Sequence, residues 1–176
     1  IMTLVNMLTH SHKSKYLYPT PEAEPRGILL IKIAYPDSAK DAEAMWVDPI
    51  NGNIWIVSKR EAAVGVYFLS SDSIDLNKIN TLQFMGNLPT TAVTAADISE
   101  DGNRLLLKSY YSILLFEKSS TQSTLDMLAL VEPKLLPYDP IELQGEAICW
   151  EPNGGYYTLS EKVQNFTPFL FYYQKL

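Results

Sequence analysis

The chain has 176 residues, of which 47% are hydrophobic and 19% charged, a composition typical of a folded globular domain. Its 20 acidic and 14 basic residues give a net charge of −6, which argues against the dense basic surface that sequence-independent nucleic-acid binding requires. No run approaches the ~20 apolar residues of a membrane span. The single cysteine, Cys149, excludes an intrachain disulfide and, among alternating apolar residues, is predicted to be a small buried side chain.

Three segments near the N-terminus are predicted to form short elements. Ile1–Leu8 fits either a strand or a short helix, Lys15–Tyr18 fits a strand, and Ile28–Ile33 fits the outer strand of a sheet. Between them, Thr9-His10-Ser11-His12 has two histidines on one side of an extended chain. Because no further Cys or His follows at a metal-ligand spacing, a solvated segment is the favoured interpretation.

A short phrase then occurs three times along the chain. Its copies begin at positions 43, 94 and 146, so successive copies lie 51 and 52 residues apart. A period of this size is typical of propeller blades and solenoid units. The copies are Glu43–Gly52, Thr94–Gly102 and Glu146–Gly154.

Each copy is followed by β-branched and aromatic runs that are separated by turn residues. Four short antiparallel strands in ~50 residues predict a propeller blade, with the repeated phrase as its innermost strand. A β-sandwich is the alternative, but it does not explain the recurring phrase. The strands predicted after the three copies are Asn53–Ser58, Val64–Leu69, Thr81–Gly86, Arg104–Ser109, Ser112–Glu117, Leu125–Val131, Tyr156–Ser160 and Pro168–Gln174.

The sequence therefore predicts an all-β fold, a β-propeller arc of about three four-stranded blades plus a partial blade. Residues 1–34 are assigned to the partial blade and N-terminal strands, 35–89 and 90–140 to two blades, and 141–176 to an incomplete blade of the same domain. Propellers usually close with 4–8 blades. We expect the ring to be completed either by a missing N-terminal part of the same protein or by a second chain.

Several short motifs occur in a fixed order along this arc: Tyr35-Pro36-Asp37, Asp41-Ala42-Glu43-Ala44, Val47-Asp48-Pro49, Ser58-Lys59, Thr94-Ala95-Ala96-Asp97-Ile98-Ser99 with Asp101-Gly102, Lys108 with Tyr110, Gln144-Gly145-Glu146-Ala147-Ile148, and Ser160-Glu161. With them the chain resembles the C-terminal half of a poorly characterised family of secreted-type bacterial and eukaryotic β-propellers, related to propellers described as phytase- or esterase-like. The chain departs from the family pattern at Ser38, where Gly is usual, and at Lys108, where Arg is frequent. The resemblance implies an extracellular protein and, by analogy, ester hydrolysis.

Six residues are predicted to meet at one mouth of the propeller channel. Antiparallel pairing places the start of each innermost strand and the end of the second strand at the same rim. The residues placed there are Glu43, Thr94 and Glu146 at strand entries and Lys59, Lys108 and Glu161 at strand exits. The two lysines suit an anion, whereas the three glutamates, Glu43, Glu146 and Glu161, suit a hard cation such as calcium. An equally open interpretation is that these charges pair across neighbouring blades and only align them.

Three functional hypotheses follow from this arrangement. The leading one is a binding or interaction module whose charged rim engages a small anionic or metal-bridged ligand. The alternatives are a metal-assisted hydrolase of phosphate or carboxylic esters and a structural subunit that completes a propeller with another chain.

The C-terminal region adds two further predictions. Asn165-Phe166-Thr167 is a sequon that accepts a glycan in a secreted protein, although Pro168 directly after it makes its use less favourable. In the aromatic tail, Phe169 and Phe171 are predicted to pack in the core.

Overall fold

The computed structural model describes the backbone of residues 2–5 together with residues 29–165 and 167–175. The predicted strand Lys15–Tyr18 and the phrase Thr9–His12 lie outside the described residues. The strands, numbered in chain order, are β1 Met2–Val5, β2 Leu30–Ala34, β3 Ala42–Val47, β4 Ile54–Ser58, β5 Val64–Leu69, β6 Ile79–Thr81, β7 Gln83–Leu88, β8 Val93–Ile98, β9 Arg104–Ser109, β10 Ile113–Glu117, β11 Lys134–Leu136, β12 Gly145–Trp150, β13 Tyr156–Ser160 and β14 Leu170–Tyr173. Among these described residues, one α-helix, α1, spans Thr124–Leu130, and a 3₁₀ turn spans Ser71–Ser73.

Each copy of the repeated phrase begins one antiparallel sheet. The strand orders are β3-β4-β5-β7, β8-β9-β10-β11 and β12-β13-β14. The three innermost strands lie side by side, β3 against β8 and β8 against β12. These sheets form an all-β arc of propeller blades, as the repeat predicts, with the repeated phrase on the inside of every blade.

A further sheet of three strands lies before the first blade. In it β2 pairs antiparallel with β1 and parallel with β6. Strand β6 comes from the loop between β5 and β7 of the first blade, so this loop reaches back to join the preceding sheet. The predicted strand Thr81–Gly86 is therefore two strands, one in each sheet.

The core lies between successive sheets because each central strand is apolar on both faces. In β4, Trp55 and Val57 face the second blade, where Leu105 and Leu107 of β9 are buried against them. The intervening Ile56 faces the first sheet. The opposite face of the second blade packs on the third, where Leu106 of β9 joins Ile148 and Tyr156.

A tight turn links the first two strands of each blade. Gly52 and Gly102 adopt positive φ angles of 74° and 69° in these turns, a conformation that favours glycine. Carboxylates fix the turns from inside, since Asp48 accepts a hydrogen bond from the Ile50 amide at 2.9 Å and Asp101 accepts one from Asn103 at 3.1 Å. The glycine of the repeated phrase is therefore needed by the backbone.

The helix α1, Thr124–Leu130, stands where the strand Leu125–Val131 was predicted. Ser123 caps this helix, accepting from the Asp126 amide at 3.0 Å while Asp126 accepts from the Ser123 amide. This capping box satisfies amide groups that a helix start otherwise leaves unpaired. The strand prediction was wrong because the apolar residues Met127 and Leu128 cover the core from a helix, and the fourth strand of the blade is β11.

Two predictions of burial were also wrong. Cys149 is exposed, because alternation along β12 turns Ile148 towards the second blade and Cys149 to the opposite face. Phe169 is 51% exposed, whereas Phe171 is partly buried. In the described part of the chain no helix has the length and apolarity needed to cross a membrane.

Candidate functional site

All three innermost strands carry a β-bulge at the same point. The register shifts between Ala42 and Ala44 in β3, between Val93 and Ala95 in β8, and between Gly145 and Ala147 in β12. The extra residues are Glu43, Thr94 and Glu146, the first residues of the three copies. A bulge bends the strand and redirects a side chain, and here it does so at the edge where β3, β8 and β12 begin, which we call the entry rim.

The residue that follows the second strand of each blade also lies at the entry rim. The backbone amide of this residue donates a hydrogen bond to the carbonyl of the residue two positions before the bulged one. Lys59 donates to Asp41 at 2.8 Å in the first blade, and Glu161 donates to Gln144 at 3.1 Å in the third. In the second blade this position is Tyr110, whose amide donates to Ala92 at 3.1 Å. The equivalent residues are therefore Lys59, Tyr110 and Glu161, so Tyr110 stands where the sequence had placed Lys108.

Lys59 connects the three blades. Its ammonium group lies 2.5 Å from Glu43 Oε2 of its own blade and 3.8 Å from Glu146 Oε1 of the third blade. It also donates to the Tyr110 hydroxyl at 2.8 Å, and that hydroxyl donates to Glu146 Oε1 at 2.7 Å. We call Glu43, Lys59, Tyr110, Glu146 and Glu161 the Lys59 cluster.

The electrostatics of this cluster favour a charged lysine. Burial opposes the charge of Lys59, whose side chain is 3% exposed, but hydrogen bonds to Glu43 and Tyr110 outweigh it and raise the Lys59 pKa. Burial, together with the hydrogen bond to Glu146, raises the pKa of the Tyr110 hydroxyl, although Lys59 opposes this shift. Tyr110 is therefore neutral at pH 7 and relays a hydrogen bond from lysine to carboxylate.

Glu161 interacts with a second carboxyl group at the rim. Its hydrogen bond with Glu146, followed by the charge of that group, raises the Glu161 pKa above the ordinary value of 4.5. Two carboxyl groups in contact ionise less readily than isolated ones, because like charges repel. The exposed side of the entry rim is thus a pair of carboxyl groups, with Glu43 on the far side of Lys59.

The Thr94 side chain does not face the entry rim but contacts the neighbouring blade. Its side chain is buried, 2% exposed, and the hydroxyl donates to the Gly145 carbonyl at 2.8 Å. This bond joins the second blade to the third at the bulge. Threonine at this position therefore replaces a rim charge with a contact between blades.

Lys108 lies inside the protein, away from the predicted rim. It pairs with Ala95 across the sheet and shares the face of Leu106, which the third blade covers. Its ammonium group lies 3.5 Å from Glu142 Oε1, and both side chains have 0% exposure. Thr158 donates to Glu142 Oε2 at 2.6 Å, and the Lys108 ammonium lies 4.2 Å from the centre of the Tyr138 ring.

Burial lowers the pKa of Lys108, and the charge of Glu142 opposes that shift. The correction to the sequence prediction has a simple physical reason. Lys108 lies within β9, on the same face as Leu106, and the third blade covers that face. Tyr110 follows the last residue of β9 and therefore takes the rim position that Lys59 has in the first blade. Glu142 lies in the loop before β12, too far along the chain for any spacing rule to pair it with Lys108.

Gly145 is required by this buried pair. A Cβ atom at residue 145 would lie 2.2 Å from Glu142 Oε1 and 2.5 Å from Lys108 Nζ. The buried pair therefore packs directly on the backbone of residue 145, and a side chain there would displace the Glu142 carboxylate or the Lys108 ammonium group from its present position. This explains the glycine in the Gln144-Gly145-Glu146 motif, which the sequence alone left without a reason.

The remaining predicted residues are placed as follows. Glu43, Lys59, Glu146 and Glu161 come together, whereas Thr94 and Lys108 point away. Among the described residues there is no group of three or more His, Cys, Asp or Glu side chains arranged to hold a metal ion. Asn165 is exposed between β13 and β14, so glycosylation there stays a prediction.

Comparisons with known proteins identify no family for the chain. No protein-family model matches it, and no curated protein does. Among solved structures, it is similar to a chain of "Crystal structure of Nidogen/Laminin Complex", at a TM-score of 0.48 and 12% identity, covering 69% of this chain and 40% of that chain. It thus spans two fifths of the length of that chain, and the fold assignment rests on the sheets described above.

The buried pair gives a testable prediction. Lys108→Met leaves the Glu142 carboxylate buried without its cation, and we expect the free energy of unfolding to fall by about 3–5 kcal/mol. The double variant Lys108→Met with Glu142→Gln removes both charges and keeps an acceptor for Thr158, so it should recover most of this loss. Urea unfolding followed by tryptophan fluorescence measures both values, and equal stability of the single and double variants would contradict the pairing.

Proposed function

We propose that this chain is a β-propeller interaction module whose entry rim binds a positively charged group, such as a lysine or arginine side chain of a basic peptide. The observation that carries the proposal is that the basic side chains are buried and the acidic ones reach the surface. The side chains of Lys59 and Lys108 are 3% and 0% exposed, and their ammonium groups are already paired. The side chains of Glu43 and Glu146 are 36% and 27% exposed, and Glu161 is exposed.

This proposal modifies the ligand that the sequence had favoured. An anion would need to reach Lys59 or Lys108, and their burial does not support such contact. A calcium ion between Glu43 and Glu146 would compete with the ammonium group of Lys59, which lies between them. A cationic ligand needs neither rearrangement, since it approaches the outward carboxyl oxygens directly. The net charge of −6 adds long-range attraction for it.

The proposal is tested with a fluorescein-labelled hexalysine peptide at low ionic strength. The triple variant Glu43→Gln, Glu146→Gln and Glu161→Gln should weaken binding roughly tenfold or more, because each exposed ion pair contributes ~0.5–1 kcal/mol. Fluorescence anisotropy measures the dissociation constant. The single variant Glu161→Gln leaves both carboxylate partners of Lys59 in place, so it controls for a folding defect of the triple variant. It should show part of the loss of hexalysine affinity.

The matched control removes the same amount of charge elsewhere. Asp72→Asn, Glu100→Gln and Glu132→Gln change three exposed residues away from the entry rim. If this control weakens binding as much as the rim variant does, the peptide responds to net charge and the rim is not its site.

Binding should also depend on pH. The raised pKa of Glu161 means that this group becomes neutral at pH values above 4.5 as the solution is acidified. Glu146, Glu43 and Lys59 are the charged groups that face it. We therefore expect hexalysine affinity to fall as the pH is lowered, beginning at a higher pH than an ordinary glutamate with a pKa of 4.5 would give. In Glu161→Gln this part of the pH dependence should be absent. A pH profile unchanged in the variant would contradict the role of Glu161.

Ester hydrolysis is the second candidate, supported by the carboxyl pair and by the family resemblance. The contact with Glu146 raises the pKa of Glu161, so at pH values where Glu161 carries its proton it can donate that proton to a leaving group while the Glu146 carboxylate accepts one from water. We expect slow hydrolysis of p-nitrophenyl acetate or p-nitrophenyl phosphate that Glu161→Gln abolishes. Measurements with added calcium and with EDTA test the metal-assisted form, and equal rates in wild type and variant would exclude the pair as the catalyst.

A further inference from the structure

A cavity of about 890 Å³ opens beside the entry rim, between strand β11 and the loop that precedes β12. Its walls are mainly apolar and aromatic, with Leu135, Leu136 and Leu143 on one side and Tyr110, Tyr111 and Tyr138 on the other. Volume and lining both match those of small-molecule sites, which are apolar clefts with a few placed polar groups. The cavity is separate from the carboxyl pair, and Tyr110 belongs to both.

Two polar side chains on the cavity wall make no hydrogen bond within the described residues. Tyr111 is 74% exposed, and its ring meets Tyr110 edge-on at 6.5 Å. Gln144 is also exposed, and its backbone has a φ of 51°, a left-handed conformation that costs free energy in a residue other than glycine. Ala92, at the equivalent position of the second blade, has a φ of 56°, so this conformation belongs to the bulged strand entry, and it leaves the exposed Gln144 amide on the cavity wall.

The charges around this cavity are already neutralised. Behind the wall, Lys108 and Glu142 pair with each other at 3.5 Å. Two of the three tyrosine rings already face a cation, since Lys59 lies 4.6 Å from the Tyr110 centroid and Lys108 4.2 Å from that of Tyr138. Because both lysines are already paired with carboxylates, the cavity wall offers a charged ligand no unpaired counter-ion. The surroundings therefore favour an uncharged ligand.

We propose that this cavity binds a neutral hydroxylated ring, the chemistry of a sugar. The tyrosine rings and leucine side chains offer flat apolar surface to the C–H faces of such a ring. The Gln144 amide, the Tyr111 hydroxyl and the Ser112 hydroxyl offer donors and acceptors to its hydroxyl groups. The site is distinct from the cationic binding proposed for the entry rim, and either can hold without the other.

The test uses three probes of one type: phenyl β-D-glucopyranoside, phenyl β-D-galactopyranoside and phenyl α-D-mannopyranoside. Saturation-transfer NMR detects binding, and a titration gives the dissociation constant. Phenyltrimethylammonium and benzenesulfonate carry the same ring with a positive or a negative charge. We expect at least one glycoside to bind and both charged rings to bind more weakly.

Two variants locate the binding. Tyr111→Ala removes an exposed ring and should weaken glycoside binding about tenfold, whereas the matched Tyr172→Ala, a 49% exposed tyrosine on the third blade, should leave it unchanged. Gln144→Gly should weaken binding about fivefold without lowering the melting temperature, because glycine relieves the positive φ. A purely structural role for Gln144 would change the melting temperature and not the affinity.

The proposal is overturned if none of the three glycosides binds. It is also overturned if a charged ring binds more tightly in a Tyr111-dependent way, or if neither Tyr111→Ala nor Gln144→Gly changes the affinity. The rim variant Glu43→Gln, Glu146→Gln and Glu161→Gln serves as a separate control. Glycoside binding that survives in this variant assigns the effect to the cavity, and glycoside binding lost with the rim carboxyl groups contradicts the assignment.

Discussion

The arrangement of the entry rim depends on the buried ammonium group of Lys59. The Lys59 side chain is only 3% exposed, so its charge must be compensated by neighbouring acceptors, because desolvation otherwise destabilises a buried charge strongly. Its compensation comes from three different blades, through Glu43, Tyr110 and Glu146. The requirement of one cation thus fixes how the inner edges of the blades lie relative to one another, and it also fixes which carboxyl oxygens remain free.

The β-bulges make this arrangement available. Without the extra residue in β3, β8 and β12, strict alternation would turn position 43, 94 or 146 to a blade face, where apolar packing dominates. The bulge directs Glu43 and Glu146 to Lys59 and lets Thr94 reach the Gly145 carbonyl instead. One backbone feature repeated three times therefore supports two outcomes, a charged contact in two blades and a hydrogen bond between blades in the second.

The two lysines show how position decides the use of a charge. Lys59 lies after its strand and shares its charge with partly exposed carboxylates. Lys108 lies within its strand, where the third blade covers it and Glu142 is its fully buried counter-ion. The first arrangement leaves charge facing outward for a partner. The second leaves neutral walls around the neighbouring cavity. We therefore propose a cationic ligand for the entry rim and an uncharged ligand for the cavity.

The sequence by itself determined the repeat, the all-β class and the inward position of the repeated phrase, because a recurring phrase and alternating apolar runs are local signals. It also brought Glu43, Lys59, Glu146 and Glu161 together, since antiparallel pairing returns the chain to the same rim. Only the tertiary structure decided that Tyr110 and not Lys108 completes the rim, that Glu142 neutralises Lys108, and that Thr124–Leu130 is helical. Those results depend on the bulges and on contacts between blades, which join residues whose spacing along the chain carries no information about their distance.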